Sequence, residues 1–292
     1  MISEIQQRRR STLAALVFGV AWLAGPAARA QAASPATHWE LTAGAGLGAP
    51  SGWVQVRENT VDGTRLSLAA DLRVHQVQTL ELALDYAPSP AARYALTLTA
   101  FALHGATPPP GPVYFNGTTL AGDSALATST QFSDFVAIEL TGSWRVARVG
   151  NGDLSARAGL SFVALTFVLR GTLAAGSATR ETQEDFVTQE LPVPVIGVEY
   201  RLPLLPRLRL DAALGGGYLP WVNSLRSEGG VVTITQSEGE LSLGARYDLS
   251  ARLALSGVLR YSALTQREQS TEDGNEIAIR ATTLSVALTA RF

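Results

Sequence analysis

The chain has 292 residues, 23 basic against 25 acidic side chains and a formal net charge of −2, so no overall field selects nucleic acid or an acidic partner. It contains no cysteine, which excludes a disulfide framework and any Cys-ligated metal or haem. At 46% hydrophobic and only 16% charged, a chain with so little helical pattern needs both sheet faces buried, or one face against lipid. All its Lys/Arg positions are arginine, which reads as a composition bias, not a site.

The first thirty residues form one unit. Arg8, Arg9 and Arg10 make a positive start, Leu13 to Leu23 is apolar, and Ala28-Arg29-Ala30 has the A-x-A form of a cleavage site. The apolar run is shorter than the roughly 20 residues of a membrane helix. A secretory signal peptide over 1–30, cleaved after about Ala30, is therefore expected, with a single domain over 31–292. An uncleaved anchor and twin-arginine export are the other readings. The latter carries folded proteins, whereas a barrel has to arrive unfolded.

Beyond residue 30, period-two alternation dominates. Leu80, Leu82, Leu84 and Tyr86 oppose Glu81, Ala83 and Asp85; Leu241, Leu243, Ala245 and Tyr247 oppose Glu240, Ser242, Gly244 and Arg246. The last segment sets Leu284, Val286, Leu288, Ala290 and Phe292 against Thr283, Ser285, Ala287, Thr289 and Arg291. This is the apolar-out, polar-in pattern of a membrane barrel. Ten strands are predicted, over 39–57, 77–87, 92–105, 128–147, 153–170, 186–202, 206–221, 231–248, 251–267 and 276–292. Four turns are short, at 88–90, 148–153, 203–206 and 248–251; the alternate connections are generally longer, above all 58–76 and 105–127. Sorting of loop length by end marks short periplasmic turns and long extracellular loops. The fold expected is all-β: a transmembrane antiparallel up-and-down barrel of about ten strands. Residues 64–74 also alternate; were they to span, residues 53–57 would have to cross as well, giving twelve. Five residues cannot cross a layer that takes about 9–11, so 64–74 is placed in the first extracellular loop, folded over the mouth.

Trp39, Tyr86, Tyr94, Trp144, Tyr200 and Tyr247 each fall near the first strand's start or a short turn and in the outward register, with Phe292 at the same level. Rings so placed form an interfacial girdle. Trp53, Phe132, Tyr218, Trp221 and Tyr261 are assigned to the opposite one. A final alternating strand ending in Phe292 has the form of the signal read by barrel assembly machinery.

Three stretches carry a resemblance: Gly63-Thr64-Arg65-Leu66-Ser67-Leu68-Ala69-Ala70-Asp71-Leu72, Tyr114-Phe115-Asn116-Gly117-Thr118-Thr119-Leu120-Ala121-Gly122 and Leu191-Pro192-Val193-Pro194-Val195-Ile196-Gly197-Val198. With the order of features around them, they resemble a poorly characterised family of bacterial outer-membrane β-barrel proteins. The resemblance covers most of the mature chain and implies a barrel of about ten strands with no established activity. Ala69-Ala70 stands where that family commonly has carboxylates, which argues against a cation site there.

Inward-register charges are Glu40, Glu81, Asp85, Glu139, Glu199, Asp211 and Glu240, with Arg145, Arg157, Arg201, Arg209, Arg246, Arg252, Arg260, Arg280 and Arg291. A salt-bridge network filling the lumen is the expectation, and a narrow porin-like channel the alternative. A rim-sited outer-membrane hydrolase is a third reading, with weak candidates His75 and His104 near Asp71, Asp123 and Ser124. No His-x-Ser pattern accompanies them, and nothing predicts a metal, a cofactor or a nucleic-acid partner. Gly44-Ala45-Gly46-Leu47-Gly48 lacks the helix that a phosphate loop requires, so its glycines are read as close packing or a bend; Gly215-Gly216-Gly217 is read as lumen room or a kink. Asn116-Gly117-Thr118 has the form of a glycosylation sequon, out of place in a bacterial setting. The partners expected are outer-membrane lipid, lipopolysaccharide and the assembly machinery, for an exported protein with a structural or surface-interaction role in a Gram-negative outer membrane.

Overall fold

The computed structural model describes residues 38–58, 60–108, 111–122, 126–174, 178–188, 191–223, 232–271 and 273–292; the predicted signal peptide and its cleavage site lie outside them, as do Asp123 and Ser124. The wall consists of β1 (His38–Glu58), β2 (Val77–Ser89), β3 (Ala92–Thr107), β4 (Phe135–Val149), β5 (Gly152–Thr172), β6 (Val193–Leu205), β7 (Leu208–Asn223), β8 (Thr233–Asp248), β9 (Leu253–Gln269) and β10 (Gly274–Arg291). Each pairs antiparallel with the next, and β10 pairs with β1 from Arg291↔Glu40 to Gly274↔Arg57, so the sheet closes. Ten wall strands are present, and the twelve-strand alternative is set aside.

Outward registers align into leucine rows. Leu41, Leu84, Leu96, Leu140 and Leu160 are successive cross-strand partners over β1 to β5, each between 39% and 56% exposed. Leu243, Leu259, Leu284 and Leu47 continue the pattern over β8, β9, β10 and β1. Alternate residues on the same strands, such as Thr99, Thr141 and Thr289, are buried inside.

Where β1 meets its neighbours, glycine is a packing requirement. A Cβ on Gly46 would stand 2.6 Å from Thr79 Oγ1, and one on Gly48 2.2 Å from the Thr282 carbonyl oxygen. The close-packing reading of these glycines fits that geometry.

Two expected strand boundaries differ. The predicted strand 128–147 breaks: Leu126–Thr130 pairs with β3, then a turn at 131–134, in which Asp134 Oδ2 accepts from the Gln131 amide at 2.8 Å, precedes β4. The predicted strand 186–202 divides into Thr179–Thr188, paired with the upper half of β5, and β6.

The long connections turn inward. Only Leu66–Ser67 of 64–74 is strand, paired with β1, because a turn closes directly behind it: Asp71 Oδ2 accepts from the Ser67 amide at 2.7 Å, while the Asp71 and Leu72 amides donate to the Ser67 carbonyl. Leu66, Leu68, Leu72 and Val74 are buried to 1% exposure or less. Beside them Val113–Phe115 and Thr118–Leu120 form a hairpin turning on Asn116 and Gly117, both with positive φ (45° and 67°), as an Asn-Gly hairpin turn requires. Thr64 ties the two segments together: its amide donates to the Tyr114 carbonyl and its hydroxyl accepts from the Tyr114 amide. These segments pack with the upper inward residues of the wall, among them Val54, Leu103, Phe135, Leu165, Phe167 and Ile277, into one apolar cluster. The cluster closes the end of the barrel opposite the short turns.

Candidate functional site

The lumen below that plug is charged, and its ion pairs cross from wall to wall. Nearest the short turns, Arg246 on β8 holds Glu40 on β1 with both terminal nitrogens, at 2.8 and 2.9 Å. Arg291 adds Nε to the same carboxylate at 2.8 Å and reaches Asp248 at 2.7 Å. One layer further in, Arg93 on β3 spans to Glu199 on β6 at 3.0 Å and to Asp85 at 3.3 Å. Arg201 and the Ser143 hydroxyl also donate to Glu199. Arg260 on β9 meets Glu81 on β2 at 2.7 Å and lies 3.6 Å from Glu240; Arg157 pairs with Glu139 and Arg209 with Asp211. Arginine suits such a lattice because its planar fork engages a carboxylate through two donors at once.

Between this lattice and the plug lies a hollow of about 380 Å³, and a smaller one of about 150 Å³ lies towards the short turns. Glu40, Asp85, Arg93, Arg201 and Arg209 line both, so this charged layer is the partition between them. The larger hollow exists because inward residues of β7 and β8 are small: Ala213, Gly215, Ser242 and Gly244 line it.

Of the predicted lumen charges, Glu40, Glu81, Asp85, Glu139, Arg157, Glu199, Arg201, Arg209, Asp211, Glu240, Arg246 and Arg260 line the larger hollow. Arg291 joins them through Glu40. Three lie elsewhere. Arg280 is exposed on the outer face, opposite Ser51, because the inward residues of β10 are odd-numbered. Arg252 sits exposed in the turn before β9, which begins one residue later. Arg145 is exposed at the end of β4, 3.6 Å from Asp153, where the register shifts by one residue. Arg93 and Glu238, both inward and lining the hollow, were missing from the expectation. Tyr94 and Leu241 point outward, so the same alternation contained both.

Trp39 and Tyr86 pack with ring centroids 4.6 Å apart, and Tyr94 meets Trp144 edge-on at 6.2 Å. Tyr200 donates to the Val149 carbonyl at 2.9 Å, Tyr247 is the cross-strand partner of Leu208, and the Phe292 amide donates to the Trp39 carbonyl. All seven rings thus stand at the short-turn end of the wall. Towards the other end Tyr218 and Trp221 are exposed and the Arg65 guanidinium covers Trp53 at 3.8 Å from its ring centroid, whereas Tyr261, assigned to the same girdle, is exposed at the middle of β9.

Among the described residues no ion pair joins either histidine proposed for a rim site to an acid; Asp123 and Ser124 lie outside them. His104 is exposed on the outward side of β3 and His75 is exposed near the foot of the plug segment. The Asp71 carboxylate is committed to its own turn. Among the described residues no group of three or more His, Cys, Asp or Glu side chains could hold a metal ion.

No family model matches the chain, and no curated protein matches it. Among solved structures, the outer membrane protease OmpT from Escherichia coli is similar at 13% identity and a TM-score of 0.50, over 87% of this chain and 97% of that one. The translocator domain of the autotransporter NalP from Neisseria meningitidis matches at 14% identity and a TM-score of 0.37, over 99% and 96%. OprG from Pseudomonas aeruginosa matches at 8% and 0.36, over 88% and 96%. The fold is that of a bacterial outer-membrane β-barrel.

Proposed function

We propose that the chain is an integral outer-membrane barrel with a closed lumen, serving as a structural or surface-interaction protein and not as an open diffusion channel. The observation that carries this is the apolar plug. Leu68, Leu72, Val74 and Phe115 of the two inserted segments are fully buried against Leu165 and Phe167 of the wall. Ions cross neither such a cluster nor, without rearrangement, the paired charges beneath it. The outward leucine rows and the two aromatic rings support residence in a bilayer. We further assign the Phe292 end of the chain to recognition by the assembly machinery, residues 1–30 to a cleaved export signal, and the long-connection face to lipopolysaccharide and the cell exterior.

Planar-bilayer recording tests the closed lumen. The wild-type protein is expected to give no conductance steps, and a variant with 64–74 replaced by a short Gly-Ser linker to give steps. Steady stepwise conductance from the wild type overturns the reading in favour of a porin-like channel.

A further inference from the structure

Glu238 is the anomaly of the lumen. Every other carboxylate lining the larger hollow has an arginine within 4.0 Å, and each lining arginine is paired with a carboxylate. Among the described residues Glu238 has no arginine at that distance. Its Oε2 accepts from the Ser161 hydroxyl on β5 at 3.0 Å, and its Oε1 is buried without a hydrogen-bond partner. Gly217 lies opposite Glu238 and Val195 opposite Gly217; the missing side chain on β7 lets the carboxylate run across that strand towards β5. A carboxylate withdrawn from water without a cation is costly, and a bound cation would offset that cost.

An apolar patch lies nearer the plug. Phe101 on β3 and Phe135 on β4 stack at 4.4 Å between centroids and line the same hollow. Ser161, which holds the carboxylate, is on β5, and β4 and β3 are the next two strands of the ring, so the ring pair stands further up the same side of the lumen. A volume of about 380 Å³ falls at the lower end of the range of small-molecule sites, roughly 300–1,000 Å³. Because the lining arginines already have partners, an anionic guest would have to displace a carboxylate, whereas a cationic one meets in Glu238 a carboxylate with no arginine to displace.

We infer that the hollow beneath the plug binds a small organic amine, its ammonium group on Glu238 and Ser161 and its apolar or aromatic body against Phe101 and Phe135. Entry from the smaller hollow requires the layer in which Arg93 joins Asp85 and Glu199 to rearrange. The inference needs the described lumen, not the surface role proposed above.

Titration calorimetry on the full barrel in lipid nanodiscs tests it, with phenylbutylamine as probe, phenylbutanol and phenylbutyrate as shape-matched controls, and empty nanodiscs for lipid partitioning. The amine is expected to bind about tenfold or more tighter than either control, the gain of a charge-assisted contact. Glu238→Gln should bring the amine down to the alcohol's affinity and leave the alcohol unchanged. Ala213→Phe, which places a ring inside the hollow, should remove binding of all three probes; Thr97→Phe from the far wall repeats that arm should Ala213→Phe not fold. Equal affinity for the three probes, or amine binding that survives either Glu238→Gln or cavity filling, overturns the inference.

Discussion

At the scale of single residues, Glu199 is the most connected lumen carboxylate. It is 8% exposed and accepts hydrogen bonds from Arg93, Arg201 and Ser143. Removing one partner of a buried pair leaves the other charge uncompensated, which costs more than the pair contributes. Glu199→Ala is therefore expected to destabilise the barrel by about 3–5 kcal/mol, measured as urea unfolding in lipid vesicles. Arg145→Gln, at the exposed end of β4 with Asp153 at 3.6 Å, should change stability by less than about 0.5 kcal/mol. Equal shifts for the two variants would show that the cross-lumen lattice does not hold the wall together. Alternation alone placed most of these charges inside. It placed Arg145 and Arg252 inside although they stand exposed near or beyond the ends of their strands, which a period-two count does not register, and Arg280 although the inward residues of its strand are odd-numbered.

At the scale of elements, two glycines separate two reasons for using that residue. Gly117 has φ +67°, and a Cβ there would come no nearer than 3.4 Å to Glu58 Cγ, so its requirement is conformational. Gly48 has ordinary backbone, but a Cβ would lie 2.2 Å from the Thr282 carbonyl oxygen in the β1–β10 seam, so its requirement is steric. Gly117→Ala is expected to cost about 1–2 kcal/mol, the penalty of a left-handed conformation for a residue with a Cβ. Gly48→Ala should cost about 1–3 kcal/mol from overpacking, and should also speed amide exchange along β1 and β10. Exchange accelerated in the 113–120 hairpin instead would contradict the seam argument. Asn116-Gly117 is a hairpin signal in the sequence as well as part of a sequon, and the structure uses it as the turn. Segment 64–74 was legible as apolar and mouth-directed. That it would turn after two strand residues was not, because its turn depends on the Asp71 side chain capping Ser67, a contact that alternation does not encode.

For the whole molecule, the decisive asymmetry is that the ring is closed and filled, so its outer leucine rows have no second protein layer against them among the described residues. Soluble proteins rarely expose contiguous apolar surface beyond a few hundred Å², whereas a bilayer makes the same belt favourable. The prediction that separates these environments is one of depth. Leu140 lies midway between the aromatic levels and is 56% exposed, and Val149 lies beside a short turn at 52%, so exposure in water does not distinguish them. In a bilayer they differ: Leu140→Arg is expected to destabilise the barrel by about 2–4 kcal/mol and Val149→Arg by about 0–1 kcal/mol, both read by reversible unfolding in vesicles. A protein whose outer face meets water would tolerate the two substitutions alike, and equal effects in vesicles would remove the lipid-facing assignment on which the outer-membrane reading rests. A larger penalty at Leu140 would fix the membrane's height on the wall. It would set the upper ends of the strands and the plug beyond the hydrocarbon, on the side of the long connections.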